Sequence, residues 1–197
     1  MTVYCRKSRY PKKLENYLGM RLVYLPNLHV KYFDTLSHTI LSVMHALRQS
    51  YDVFMVFNAA NSVTLLPAWM LGKKIAINPD GLEWKRVKWG RAGRLFFQAA
   101  EWFSVKIADR IVADAPGIRT YYRERYHRES MHISYGAYPQ ESAKPELLAS
   151  YGLRPGGYFL QITRFESENN PLLTVKAFNK LKTDKKLVLV GGTPYET

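Results

Sequence analysis

Cysteine is nearly absent. Cys5 stands alone in 197 residues, so no internal disulfide can form, no thiolate cluster is present for a structural zinc, and a reducing compartment fits. Long apolar runs are lacking as well: Tyr51 to Phe57 is short and Val63 to Leu71 is broken by Pro67, far below the roughly 18 to 20 consecutive apolar residues of a membrane span. The N-terminal stretch has no apolar signal core, because Arg6, Lys7, Arg9, Lys12 and Lys13 follow directly on Met1 to Cys5, and secretion is not indicated. Acidic residues are scarce, with 16 Asp and Glu against 29 Lys and Arg and a formal net charge of +13. An excess of that size points to an anionic partner: nucleic acid, an anionic membrane surface, or phosphorylated small molecules. Also missing are a G-x-S-x-G elbow, a Walker A loop and a G-x-G-x-x-G turn, so hydrolase, NTPase and dehydrogenase readings have no support. His29, His38, His45, His127 and His132 lack Cys or carboxylate partners at metal spacing and read as core or edge residues. No cofactor and no metal are expected.

What is present is a chain 47% hydrophobic, enough for one good core or for one domain plus part of a second. Short β-rich runs alternate with stretches of helical period, the pattern of a parallel sheet with crossover helices. Val3–Cys5 and Arg21–Leu25 read as strands, and 33–49 as a helix with Asp34 as N-cap and a buried stripe of Leu36, Ile40, Val43, Met44 and Leu47. His38 and His45 fall off that stripe or at its edge. The continuous apolar run Asp52–Phe57 predicts a strand covered on both faces in mid-sheet. Ser62–Leu71 reads as a helix ended by Gly72, Lys74–Ile77 as a strand, and Asn78-Pro79-Asp80-Gly81 as a turn. A helix follows over 91–108 with Leu95, Phe96, Ala99, Trp102, Phe103 and Ile107 on one side, then a strand at 111–113, a helix at 118–126 and a short strand at 132–134. Residues 1–135 thus form a Rossmann-like domain, and 136–150, punctuated by Gly136, Pro139, Ser142 and Pro145, a linker. A second series opens in 151–197: a strand at 158–163, a helix at 171–181 and a strand at 186–190. One βαβ unit cannot bury two faces, so this domain reads as incomplete.

Two segments carry candidate chemistry. The first, Asn78 to Gly90, follows a strand, where open α/β sheets bind ligands. Asp80 can orient a sugar hydroxyl, Gly81 supplies the turn, Lys85, Arg86 and Lys88 can hold a phosphate or an anionic surface, and Trp84 and Trp89 can stack on a sugar face or lie at a membrane interface. The alternative is a solvated basic loop whose tryptophans pack on the next helix. The second, Arg164 to Pro171, places an arginine beside a helix start, a sound diphosphate site with Glu168, Asn169 and Asn170 alongside. The same residues also read simply as a helix start, with Asn170 as N-cap and Pro171 at the first helical position. Gly191-Gly192 permits close backbone approach to a ligand, or is only a turn. Two further basic patches, 6–13 and the Arg-Tyr stretch 119–128, suit single-stranded nucleic acid or lipid head groups, or a solvated helix face with its tyrosines inward.

On Val3-Tyr4-Cys5-Arg6, Asn78 to Trp89, Ala108-Asp109-Arg110-Ile111-Val112-Ala113-Asp114, Tyr135-Gly136-Ala137 and Arg164 to Asn170, the chain resembles a family 4 glycosyltransferase of the GT-B fold. The resemblance is to the rhamnosyltransferase-like group of that family. It implies transfer of a sugar such as rhamnose from a nucleotide-sugar to a polysaccharide or polyprenyl-linked acceptor, with retention and without a metal. Asp80 and Gly81 match the loop facing the reacting sugar. Arg164 matches the arginine that neutralises the donor diphosphate, and donor contacts are expected from Glu168, Asn169, Asn170, Gly191 and Gly192. The family's lysine five residues after that arginine is replaced by Asn169. Its first strand with a glycine-rich loop would precede Met1, and its Glu-x7-Glu motif would follow Thr197. The expectation is therefore a piece of a glycosyltransferase that alone transfers little or no sugar, located in the cytoplasm and peripherally on the inner face of the cytoplasmic membrane. The rival readings are a non-catalytic module for a glycan or phosphosugar and a basic nucleic-acid-binding protein; the latter has its charges scattered over separate segments and no recognised module.

Overall fold

A computed structural model describes residues 1–10, 13–28, 30, 33–87, 89–138 and 144–192. Two compact units emerge: Met1–Lys85 with Trp89–Tyr135, and Arg86–Lys88 with Gly136–Thr197. Both are α/β with parallel strand pairs.

In the first unit, strand β1 (Thr2–Arg6) pairs in parallel with β3 (Met20–Leu25), and the short β2 (Asn16–Tyr17) adds antiparallel to the far edge of β3. Helix α1 (Asp34–Ala46) crosses to β4 (Val53–Phe57). A seven-residue 3-10 segment (Ala59–Leu65) and α2 (Leu66–Met70) lead to β5 (Lys74–Asn78). Helix α3 (Arg91–Ile107), β6 (Arg110–Ala113), α4 (Pro116–Tyr126) and β7 (Met131–His132) complete the unit. The sheet order β4-β5-β6-β7 is all parallel, with Phe54 opposite Ile75 and Ile77 opposite Ile111. Its core joins Val43 and Ala46 of α1, Phe54, Ile75, Ile77 and Ile111 of the sheet, Leu65, Ala68, Ile107 and Tyr122.

Several local expectations are corrected. Helix α1 begins on Asp34 itself, with Phe33 as N-cap, because the Asp34 carboxylate is engaged sideways by Asn27, by Arg6 (3.6 Å) and by Arg9 (3.9 Å). Its buried positions are His38, Val43 and Ala46, while Ile40 and Met44 are exposed, so the stripe is rotated and His38 sits inside it. Ser62–Leu71 is 3-10 as far as Leu65 and α-helical only over Leu66–Met70: Ser62 is buried and donates to the Ala100 carbonyl (2.8 Å), a tertiary bond that seats the 3-10 part on α3. Strand β4 is an edge strand among the described residues, with Val53, Met55 and Phe57 exposed, rather than covered on both faces. Helix α3 buries Ala100, Glu101, Ser104 and Ile107 and exposes Leu95 and Trp102, because the Glu101 carboxylate finds two phenol donors on α4.

The second unit holds α5 (Pro145–Ser150), within the stretch expected as a linker, followed by β8 (Tyr158–Ile162), α6 (Pro171–Phe178) and β9 (Lys186–Val190). Strands β8 and β9 pair in parallel across the α6 crossover, with Phe159 edge-on to Phe178 at 6.1 Å. None of its described residues is buried, and Ile162, Leu172 and Leu173 are exposed, as a lone βαβ layer dictates.

Candidate functional site

The carboxyl ends of β4, β5 and β6 carry the first candidate. Strained backbone gathers there: Asn58 after β4 has φ 71°, and Asp80 and Gly81 after β5 have φ 55° and 80°. Side chains of two asparagines hold these bends. Asn58 Oδ1 accepts from Ala60 N (3.0 Å), Asn78 Oδ1 accepts from Asp80 N (2.9 Å), and Asn58 N donates to the Asn78 carbonyl (2.8 Å). Asn78 Nδ2 also donates to the Tyr135 hydroxyl (3.3 Å). The Tyr135 phenol is pushed above its ordinary pKa, first by desolvation and then by the negative charges of Asp80 and Asp114. The buried Asp114 Oδ1 has no hydrogen-bond partner. An exposed carboxylate, a second carboxylate with a buried unsatisfied oxygen, an amide and a phenol therefore converge at the end of a parallel sheet. Such a set accepts hydrogen bonds from a polyhydroxylated ligand and offers little to an anion.

The basic-aromatic stretch that follows is largely consumed by packing. Trp89 donates through Nε1 to Glu83 (3.2 Å) and its ring lies 4.6 Å from Phe97 of α3, close enough that a Cβ on Gly93 would meet Trp89 Cε3 at 3.1 Å. Trp84 is overlaid by Lys85 Nζ at 5.4 Å and by the Arg125 guanidinium at 5.8 Å. Arg125 in turn lies over Tyr121 and Tyr126, whose hydroxyls donate to Glu101 Oε1 at 2.7 and 2.6 Å. Burial first, and then Glu101, push both phenols upward. The Arg-Tyr patch of α4 thus turns its tyrosines inward. Lys88 lies outside the described residues.

In the second unit, Arg164 is exposed just beyond the carboxyl end of β8. Its carbonyl accepts from Asn169 Nδ2 (2.9 Å), so the residue that stands where the resemblance would place a lysine braces the loop. Glu168 accepts an ion pair from Arg86 Nε (3.5 Å), which clusters with this unit. Asn170 occupies the N-cap of α6 with φ 53°, yet its side chain donates to the Glu168 carbonyl (3.3 Å) and caps no helix amide, a correction to its expected role. The left-handed backbone turns that side chain back into the loop. A Cβ on Gly191 would run into the backbone carbonyl of Thr163, and Phe165 N donates to Gly192 O (3.0 Å), so the space that glycine leaves at 191 is taken up by the neighbouring strand end.

Asp80 and Gly81 therefore stand together in the first unit, and Arg164, Glu168, Asn169, Asn170, Gly191 and Gly192 in the second. Local reading passed over Asn58, Asp114 and Tyr135 as site residues. Asp114 and Tyr135 each follow a strand and stand in stretches that carry the resemblance, but neither sign marks them as members of a site. Among the described residues no group of three or more His, Cys, Asp or Glu can hold a metal ion, and no helix is long and apolar enough to cross a membrane.

Comparison with known proteins places the fold. The chain matches HepE (Alr3699) of Anabaena, solved in complex with UDP, with a TM-score of 0.60 and 13% identity over 90% of this chain. The two share one fold. The aligned part is 49% of HepE, so the chain spans about half the length of that protein. A family model described as a domain of unknown function (DUF1972) matches residues 48–138, which take in the Asn58, Asp80, Asp114 and Tyr135 cluster. No curated protein matches the chain. The parallel α/β architecture expected from the element order is the architecture observed, and the fold shared with HepE agrees with the Rossmann-like, GT-B kind that the resemblance implies.

Proposed function

We propose that the chain is the acceptor-side part of a glycosyltransferase, joined to the opening βαβ unit of its nucleotide-sugar-binding part. The observation that carries this reading is the fold shared with a UDP-bound protein over 90% of the chain. The two strand-end clusters are its chemical counterparts. The Asp80, Asp114 and Tyr135 set receives hydroxyl groups of the acceptor or of the transferred sugar, and Arg164 meets the donor diphosphate.

In this reading an acceptor hydroxyl oxygen forms a bond to the anomeric carbon as the bond from that carbon to the diphosphate oxygen breaks. The hydroxyl proton passes to the departing phosphate, and configuration is retained. Arg164 stabilises the negative charge that grows on the leaving group. A family 4, rhamnosyltransferase-like role, with a polysaccharide or lipid-linked acceptor, is the finer form of the proposal. The excess positive charge then attracts the chain to anionic lipid on the inner face of the cytoplasmic membrane, which flotation with anionic and neutral vesicles tests.

Calorimetric titration with UDP, dTDP and ADP tests the donor side. Saturable binding of UDP or dTDP, weakened at least tenfold by Arg164→Ala, is the expected result. Equal binding of all three, or no effect of the substitution, would overturn it.

A further inference from the structure

Helix α3 turns Ala100, Glu101, Ser104 and Ile107 towards the core and presents its opposite side outward. At about 100° per residue, Arg91, Leu95, Ala99, Trp102 and Lys106 fall within an arc of about 80° on that side. Leu95 is 69% exposed and Trp102 53%, with Arg91 and Arg94 at one end of the stripe and Lys106 at the other. The one carboxylate of the helix, Glu101, is buried on the inner side, so the outward charge is of a single sign. Among the described residues no ion pair engages Arg91, Arg94 or Lys106. The carbonyls just beyond the helix, those of Ala108 and Asp109, accept from Arg128 (2.6 and 3.4 Å), so Lys106 is not spent on them. Its ammonium lies 5.6 Å from the Trp102 ring instead.

Two neighbours extend this face. The 3-10 segment is seated on α3 through Ser62, and α2, which continues it, exposes Leu66, Trp69 and Met70. On the α4 side an open cavity of about 500 Å³ is lined by Trp102, Val105 and Lys106 together with Arg125, Tyr126 and His127. An apolar strip about 10 Å long, with cations at both ends and a cationic groove alongside, is the pattern of a helix that lies in a lipid interface. Other occupants fit less well. A second copy, in either orientation of the two helices, would set the cationic ends of one stripe against those of the other. A protein partner needs about one hydrogen bond per 100 to 200 Å², and between Leu95 and Trp102 the outward side offers only the half-buried Gln98. Trp84 and Trp89, the tryptophans expected at a membrane from the sequence, are half-buried against Arg125 and Phe97.

We propose that the outward face of α3 docks the protein on anionic phospholipid, Leu95 and Trp102 entering the interface, Arg91, Arg94 and Lys106 meeting the headgroups, and the groove beside Lys106 and Arg125 taking a lipid phosphate. The inference rests on the membrane attraction proposed above, to which it gives a surface, and not on glycosyl transfer.

Co-sedimentation of the 197-residue chain with vesicles of phosphatidylcholine and phosphatidylglycerol in a ratio of about 7:3 tests it, with pure phosphatidylcholine as reference. The apolar variant is Leu95→Glu with Trp102→Glu, and the charge variant is Arg91→Gln, Arg94→Gln and Lys106→Gln together. The control, Lys176→Gln, Lys180→Gln and Lys182→Gln, removes the same net charge from exposed positions elsewhere. A cation at an anionic surface is worth about fivefold in binding. The expected result is binding of the parent chain to the anionic vesicles, weakened at least tenfold in the apolar and charge variants and less than threefold in the control, with unchanged urea midpoints. Binding of the parent chain that both variants retain, or that the control loses equally, would overturn the assignment of the face and leave the charge-driven attraction standing. No binding by the parent chain would overturn both. Self-association of the parent chain without lipid, abolished in the apolar variant, would overturn the proposal by making a second copy the occupant.

Discussion

Removing the Glu101 carboxylate tests whether the α3–α4 pairing rests on a buried polar cluster. Glu101 is 2% exposed and accepts from Tyr121 and Tyr126 at 2.7 and 2.6 Å, while Tyr122 between them is fully buried in the core. A hydrogen bond to a charged acceptor contributes about 1.5 to 3 kcal/mol. Because Tyr121 and Tyr126 are only partly buried, their hydroxyls recover some water on losing the acceptor, and the low end of that range applies to each. Glu101→Ala is therefore expected to lower unfolding stability by about 3 kcal/mol, two bonds at about 1.5 each. Glu101→Gln keeps an acceptor oxygen without its charge and is expected to cost about 1 kcal/mol. Urea unfolding followed by tyrosine fluorescence measures both. Spectrophotometric titration near 295 nm supplies a second readout: Tyr121 and Tyr126, held up partly by Glu101, should ionise at lower pH in both variants. A loss below about 0.5 kcal/mol for Glu101→Ala, the usual range of an inconsequential surface change, would refute the reasoning, as would equal losses for the two variants.

Further predictions follow the same logic. Gly191→Ala should cost about 3 kcal/mol, the upper end for overpacking, and speed amide exchange along β8, because the new methyl meets the Thr163 carbonyl. Gly192→Ala, where a Cβ meets nothing within 4 Å, should cost less than about 0.5 kcal/mol. Leu65→Ala, at a fully buried core position, should cost about 3 kcal/mol by urea unfolding. The His38 pKa lies below its ordinary value, chiefly through burial and also through the Arg6 charge, with a hydrogen bond to the Cys5 backbone and the Asp34 charge opposing. The unfolded chain then binds the proton first, so stability should fall as pH drops through 6.5 towards the folded value, and His38→Gln should flatten that slope.

Element order was legible because β-branched runs such as Lys74–Ile77 and Lys186–Val190 stand between turn residues, and the chain needs no tertiary information to extend there. Rotation of a helix was not. Glu101 and Ser104 lie outside the apolar side expected for α3, yet both are buried, the Glu101 carboxylate being satisfied by Tyr121 and Tyr126 some twenty residues on. Strand β4 misled for a related reason: its apolar run reads as a strand covered on both faces, whereas among the described residues β5 alone pairs with it and Val53, Met55 and Phe57 are exposed. At the candidate site, Asp80 and Gly81 were marked by a turn signal and Arg164 by its place between a strand and a proline. Asp114 and Tyr135 were not, because what gathers them with Asn78 and Asp80 is the alignment of strand ends across the sheet. Asn169 shows a third limit: set against the lysine of the resembled family it reads as a lost cation, whereas its amide braces the Arg164 carbonyl.

The most direct test of the central claim is to map UDP binding on the chain by amide chemical-shift perturbation. The account predicts saturable shifts concentrated in residues 162–171 and at Gly191 and Gly192, abolished by Arg164→Ala. Shifts elsewhere that survive that substitution, or none at millimolar UDP, would contradict it.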